Sequence, residues 1–275
     1  MINLNFQVTH TYNYPAHEFQ NPLSSTAMTV CKRFGDPALA FLTQTSFEDE
    51  VVYLGLSDDF EYARHNTPVN RDVIAGMGYN PITRKIWCGN GTNNMHEVFA
   101  FDPDTGLEVS SRDLSATDTL GAGADGLGTN GFLFTRCGGN KVELRGMNGA
   151  LLGTKTFTSF LTGISYSPTS WLAINAAEHK IFVINLFGDI IAECDGLGTP
   201  WAGSGSAGMQ AVAYDYVTDQ DSAPQVWLPG GTIGPVGSIN HPDTPWDPEP
   251  WLLRHRIYVA NNTDETIYAG YFTES

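Results

Sequence analysis

The sequence predicts an all-β chain of the five-bladed β-propeller class, on three observations. A strand–turn–strand unit recurs five times, the strands in it are apolar at consecutive positions, and no long helical stripe appears anywhere in the 275 residues. The later strand of each pair is VVYL at 51–54, EVFAF at 97–101, KVEL at 141–144, KIFVI at 180–184 and TIYA at 266–269. The earlier one is ALAFL at 38–42, KIWC at 85–88, FLFT at 132–135, WLAI at 171–174 and RIYVA at 256–260. Matching Val51, Val98, Val142, Ile181 and Ile267 gives steps of 47, 44, 39 and 86 residues. Steps near forty residues, each holding a few short strands, mark a radial sheet repeat.

The elements follow in order. The first residues alternate, with Ile2, Leu4, Phe6 and Val8 on one side and Asn3, Asn5 and Gln7 on the other, which reads as a strand. Each repeat then opens on a first strand: GMGYNP at 76–81 and GISYSP at 163–168 share the form G-x-x-Y-x-P, and AVAYDY at 211–216 is a looser version. The apolar pair comes next. Strands such as VVYLGL and IFVINLF do not alternate, so both their faces are covered. With 29 Gly and 15 Pro punctuating the chain, helices cannot provide that cover, and sheets must cover sheets. A fourth strand follows a tight turn in DPDTGLEVSS, GMNGALLGTK and LFGDIIAEC, where Asp104-Thr105-Gly106 and Asn148-Gly149 supply the turn chemistry. The blades are expected near residues 20–70, 71–124, 125–160, 161–194 and 195–275, all within one domain. The last repeat ends after TIYAGYF without a fourth strand, and the N-terminal strand is expected to fill that place and close the ring.

The long step holds an insertion at 218–253 within the last blade, with seven of the 15 prolines and Trp227, Trp246 and Trp251. It reads as an ordered excursion stapled by aromatics. A cramped sixth blade is the rival reading.

The run G-x-x-Y-x-P, K-I-W-C, V-F-A-F-D-P-D-T-G-L-E-V resembles a blade of the NHL-type and surface-layer-type β-propellers. The resemblance covers residues 76–114 well, 161–194 fairly and the other repeats loosely. It implies a fold shared by many functions and carries across no catalytic residue.

Bulk composition narrows the partners. Thirty acidic against 14 basic side chains give a formal charge of −16, a field that repels nucleic acid and anionic membrane surfaces. No apolar run approaches the roughly 18 residues that span a bilayer. The start carries no secretory pattern, so synthesis in the cytoplasm is expected, with incorporation into a virion as one context. Cys31, Cys88, Cys137 and Cys194 show no CxxC spacing and are expected as free thiols.

In such a fold the second-to-third and fourth-to-first connections share one end. That end is expected to collect Asn94, His96, Asn140, Glu178, His179 and Asn262, a set able to hydrogen-bond a sugar or hold a hard cation through oxygen. Each residue taken singly also suits a tight turn. Calcium is the cation to consider, and no metal ligand set is assigned. The G-x-G-x-x-G strings at 121–126 and 203–208 open no helix and read as connections between repeats. The string 102–106 (DPDTG) mimics the start of a calcium loop but lacks the later bidentate acid, and reads as a β-turn. Carboxylate pairs such as Glu178 with Asp264, or Glu97 with Asp195, are the ones that hydrolysis would need to bring together across the funnel.

With no HExxH, G-x-S-x-G or Walker A pattern, the leading expectation is a non-enzymatic binding or structural module. It would recognise a protein partner or glycan, with Trp227, Trp246 and Trp251 as partner contacts, within a larger assembly such as a phage virion. The alternative is a propeller-type hydrolase or lactonase, working either without a cofactor or with calcium.

Overall fold

A computed structural model describes residues 2–14, 27–44, 49–56, 61–67, 74–90, 96–120, 126–167, 170–185, 188–195, 199, 209–215, 226–228, 231–233 and 256–275. Every regular element among them is a strand. The chain opens with β1 (Ile2–Asn13), then forms β2 (Met28–Arg33), β3 (Asp36–Gln44), β4 (Asp49–Gly55) and β5 (Glu61–Asn66). The next four are β6 (Ile74–Asn80), β7 (Lys85–Asn90), β8 (Glu97–Phe101) and β9 (Glu108–Asp113). After them come β10 (Gly126–Thr129), β11 (Leu133–Gly138), β12 (Lys141–Gly146) and β13 (Leu151–Thr156). Next are β14 (Gly163–Ser167), β15 (Ser170–Asn175), β16 (Lys180–Asn185) and β17 (Ile190–Cys194). The chain ends with β18 (Met209–Tyr214), β19 (Val226–Leu228), β20 (Gly231–Ile233), β21 (Ile257–Asn261) and β22 (Thr266–Glu274).

β2–β5, β6–β9 and β10–β13 are each a four-stranded antiparallel sheet in chain order. An eight-stranded sheet runs β14-β15-β16-β17-β1-β22-β21-β18, its two halves joined where β1 pairs in parallel with β17 over Ile2, Asn3 and Leu4. β1 also pairs antiparallel with β22, from Leu4 opposite Glu274 to Asn13 opposite Thr266. The first strands lie beside one another from sheet to sheet: β2 by β6, β6 by β10, β10 by β14, β14 by β18, and β18 by β2. Several small antiparallel sheets around a shared set of inner strands make a propeller-like fold.

Burial follows distance from those inner strands. β4 and β6 are buried at all seven positions and β11 and β15 at all six, as continuous apolar runs require. The outermost strands β5, β9 and β13 face solvent. The inner strands approach so closely that a Cβ on Gly76 would lie 2.2 Å from the Leu127 nitrogen, and one on Gly126 would lie 2.8 Å from the Ile164 nitrogen. That crowding explains the glycine that opens G-x-x-Y-x-P. The tyrosine position also recurs in bonding. Tyr79 N–H donates to Thr29 Oγ1 at 3.1 Å and Tyr214 N–H to Ser165 Oγ at 3.2 Å, each linking neighbouring inner strands.

The turn readings hold where the structure describes them. In DPDTG, Gly106 takes φ +73° and donates its N–H to Asp102 O at 2.8 Å, while Lys85 pairs with the Asp102 carboxylate. Gly149 takes φ +88°. All four cysteines are buried free thiols, and burial pushes the Cys194 thiol up to about 12. One detail of the N-terminal alternation fails: Leu4 and Phe6 are buried but Val8 is 37% exposed, next to a register shift between Val8 and His10. The bulge turns the chain so that Tyr12 is the next residue buried. Of the insertion 218–253, only the short hairpin β19–β20 lies within the described residues.

Candidate functional site

The second-to-third-strand turns place the expected residues at one end of the sheets. His96 precedes β8, Asn140 lies between β11 and β12, Glu178 and His179 between β15 and β16, and Asn262 between β21 and β22. Asn94 lies outside the described residues, as do Trp246 and Trp251, and of Trp227 only the backbone, in β19, is described.

Most of this set is tied into its own turn. Asn140 Nδ2 donates to Phe157 O at 3.2 Å, and Phe157 N–H returns a bond to Asn140 O at 2.7 Å. Glu178 N–H donates to Asn175 Oδ1 at 3.1 Å, and its carboxylate accepts from the Ser159 hydroxyl at 2.5 Å. His179 holds φ +57°, the left-handed conformation its turn requires. Asn262 Oδ1 accepts from the Tyr14 hydroxyl at 2.7 Å, fastening the segment after β1 to the last turn.

His96 is different. Its side chain is 30% exposed, and Nδ1 lies 2.7 Å from Asp118 Oδ2 on a carboxylate that is 1% exposed. An ionised carboxylate only accepts, so the proton on Nδ1 faces Asp118, and in the neutral tautomer Nε2 is an acceptor. Asp118 belongs to a strap of residues 114–120 that follows β9, and the β10–β13 sheet secures it. Arg136 of β11 reaches Asp118 Oδ2 at 3.3 Å and Glu143 Oε2 at 3.5 Å. Arg145 Nε donates to Glu143 Oε2 at 2.7 Å, and its remaining nitrogens hold Thr117 O at 2.7 Å, Thr117 Oγ1 at 2.9 Å and Gly149 O at 2.8 Å. Thr119 N–H donates to Glu143 Oε1 at 2.6 Å. Leu114 N–H, at the start of the strap, donates to His96 O at 2.6 Å.

Two buried carboxylates thus face two buried guanidiniums, with one imidazole at the open end. Burial raises the Asp118 carboxyl, but the Arg136 charge, the His96 hydrogen bond and the Leu120 N–H together outweigh it and hold Asp118 below the usual carboxylate range. A charged cluster this deep pays a large desolvation cost and is a weak source of stability. What it does supply is a fixed imidazole orientation. The arrangement can accept a proton at Nε2 and stabilise the imidazolium through Asp118, the two requirements of a general base.

Asp118, Arg136, Glu143 and Arg145 were not among the expected site residues. Their signal was present: Arg136 interrupts the apolar run FLFTRCG, and Glu143 and Arg145 alternate with Val142 and Leu144. Among the described residues no group of three or more His, Cys, Asp and Glu is placed to hold a metal ion. Nor does any helix there have the length and apolarity to cross a membrane.

No protein-family model matches the chain, and no curated protein matches it in sequence. Solved structures do resemble it. The glutaminyl cyclase of Myxococcus xanthus superposes with a TM-score of 0.65 over 100% of this chain and 99% of its own, at 11% identity. The WD40 domain of Neurospora crassa Pan2 gives a TM-score of 0.43 at 13% identity, over 93% of this chain and 64% of that one. Saccharomyces cerevisiae Sqt1 gives a TM-score of 0.43 at 9% identity, over 93% and 60%. At 11% identity the likeness to the cyclase is one of fold alone, in agreement with the propeller-like arrangement of sheets.

Proposed function

We propose that the chain is a five-bladed β-propeller closed by its N-terminal strand, and that the end bearing His96 is an acid–base site of hydrolytic or acyl-transfer type. Five four-stranded units, the circuit of first strands from β2 to β18 and back, and the pairing of β1 with β22 support the blade count. The observation that carries the function is the His96–Asp118 pair, with its half-open imidazole and buried partner. In use, Nε2 takes a proton from an attacking water or amine at a substrate carbonyl. The same proton then passes to the departing group, so the residue ends as it began.

The leading expectation of a non-enzymatic module rested on a closed repeat scaffold, an acidic surface, an aromatic insertion and the absence of a catalytic motif. A pair assembled from residues 22 apart, on two separate connections, leaves no motif to find. The binding-module reading stands second, favoured by the Pro- and Trp-rich composition of 218–253, with Trp227, Trp246 and Trp251 as contacts to a protein or glycan.

The test is turnover by the purified chain of three carbonyl or acetal substrates: an N-terminal glutaminyl peptide, scored as ammonia released on ring closure, a simple lactone and an aryl glycoside. We expect one class to react, and His96→Gln to lose about a hundredfold or more in kcat/KM with unchanged thermal unfolding. Wild-type rates in H96Q would remove His96 from the chemistry. No turnover of any class would leave the binding module as the reading.

A further inference from the structure

We infer that Glu143 is a positioning residue of the His96 site, which sets through Arg136 how much of the Asp118 charge the imidazole receives. This role presupposes His96 as the base and adds a group that tunes it without touching it. Glu143 is 0% exposed, so it meets no substrate and acts only through its partners. Strand register brings them together: Arg136 of β11 stands directly opposite Glu143 of β12, and Arg145 follows on the same face of β12.

One nitrogen carries the connection. Arg136 Nη1 lies 3.5 Å from Glu143 Oε2 and 3.3 Å from Asp118 Oδ2, shared between two carboxylates. Asp118 Oδ2 is shared in turn, between that nitrogen and His96 Nδ1 at 2.7 Å. Charges therefore alternate along Glu143, Arg136, Asp118 and the protonated ring. Arg136 and the imidazolium compete for one oxygen, and Glu143 draws Arg136 the other way. Without the Glu143 charge, Arg136 neutralises Asp118 more fully, and Asp118 stabilises the imidazolium less. The direct loss of a nearby anion works in the same sense. Both neighbours of Asp118 also rest on Glu143. Its Oε1 accepts from Thr119 N–H at 2.6 Å, and its Oε2 accepts from Arg145 Nε at 2.7 Å, while Arg145 holds Thr117 O at 2.7 Å. Other charged groups surround the ring. Asp113, at the end of β9, interacts electrostatically with it, and Glu97 of β8 pairs with Asp113 across the strands. The Lys141 ammonium donates to Thr119 O at 3.4 Å. All three keep their charge when Glu143 is changed, so they do not enter the difference between variants.

The test is an NMR pH titration of the His96 ring in the full chain, with the ring signals assigned by their loss in His96→Gln. Glu143→Gln keeps an oxygen to accept from Thr119 and removes the charge. Its His96 midpoint should fall by about half a pH unit, with the neutral ring still protonated at Nδ1. Asp118→Asn, which removes the ring's own partner, should lower the midpoint by about one unit or more. A merely structural role for Glu143 would leave the midpoint where it is in the wild type. That result, or a rise, overturns the inference. Where turnover is found, the acid-side limb of kcat/KM should move down by the same amount in E143Q. A lowered midpoint without any turnover supports the tuning and removes only the reading of His96 as a base. Turnover with an unmoved midpoint does the reverse. Should E143Q not fold, the wild type decides. There the Arg136 guanidinium N–H signals should move along the His96 titration curve, and a flat Arg136 response overturns the coupling.

Discussion

Gly76 and Gly89 lie on adjacent strands and differ in what surrounds them. A methyl on Gly76 would meet the backbone of Gly126 and Leu127 at 2.2–2.5 Å, and neither atom can swing away as a side-chain tip would. A methyl on Gly89 meets nothing within 4 Å. Gly76→Ala should therefore cost about 2–3 kcal/mol in chemical denaturation. Gly89→Ala should change stability by less than about 0.5 kcal/mol. Equal effects would mean that the inner strands are not held in this close approach.

His65 offers a second residue-scale test. Its Nε2 lies 2.8 Å from the Tyr53 hydroxyl, and its ring packs edge-on against Phe101 at 5.3 Å between centroids. Burial lowers its pKa, outweighing the hydrogen bond to the Asn66 carbonyl. The folded chain therefore resists protonation that the unfolded chain accepts near about 6.5. The sign follows: stability is full above that value and declines as pH falls from there toward the lowered folded pKa. Denaturant titrations from pH 7.5 to 5 should show that decline in the wild type and less of it in His65→Gln.

At the scale of elements, one segment works across the chain. β1 supplies the neighbour that β22 would otherwise lack, from Leu4 to Asn13, and its first residues touch β17 as well. Leu4 and Phe6 enter the core, Phe6 meets Phe272 edge-on at 6.0 Å, and a Cβ on Gly270 would lie 2.1 Å from Gln7 O. Deleting residues 1–13 uncovers a long antiparallel edge and an apolar face together. We expect the truncated chain to lose near-UV circular dichroism and to elute on size exclusion as larger species than the full chain, with a peptide of residues 2–13 restoring the full chain's elution in trans. A truncated chain that elutes and unfolds thermally as the full chain does would show that β1 is dispensable. β1 was legible as a strand because Ile2, Leu4 and Phe6 alternate with Asn3, Asn5 and Gln7. Its full length was not, since the bulge near Thr9 resets the alternation and leaves Val8 exposed.

For the whole molecule, the same local rules gave unequal returns. The continuous apolar strands, the turn glycines and the forty-residue rhythm are each written within a few consecutive residues, so the sequence by itself determined an all-β chain of repeated sheets. It also placed His96, Asn140, Glu178, His179 and Asn262 at turns on one end, because strand order alone decides which turns share an end. The chemistry among side chains obeyed no such local rule. Nothing adjacent to His96 names Asp118, and nothing in FLFTRCG tells that Arg136 will find a carboxylate rather than solvent. Those partners meet because neighbouring sheets pack together and residues 117–119 bond to both of them. Tertiary structure alone decided the charged cluster, because it arises from desolvation and packing between segments that are distant in the chain.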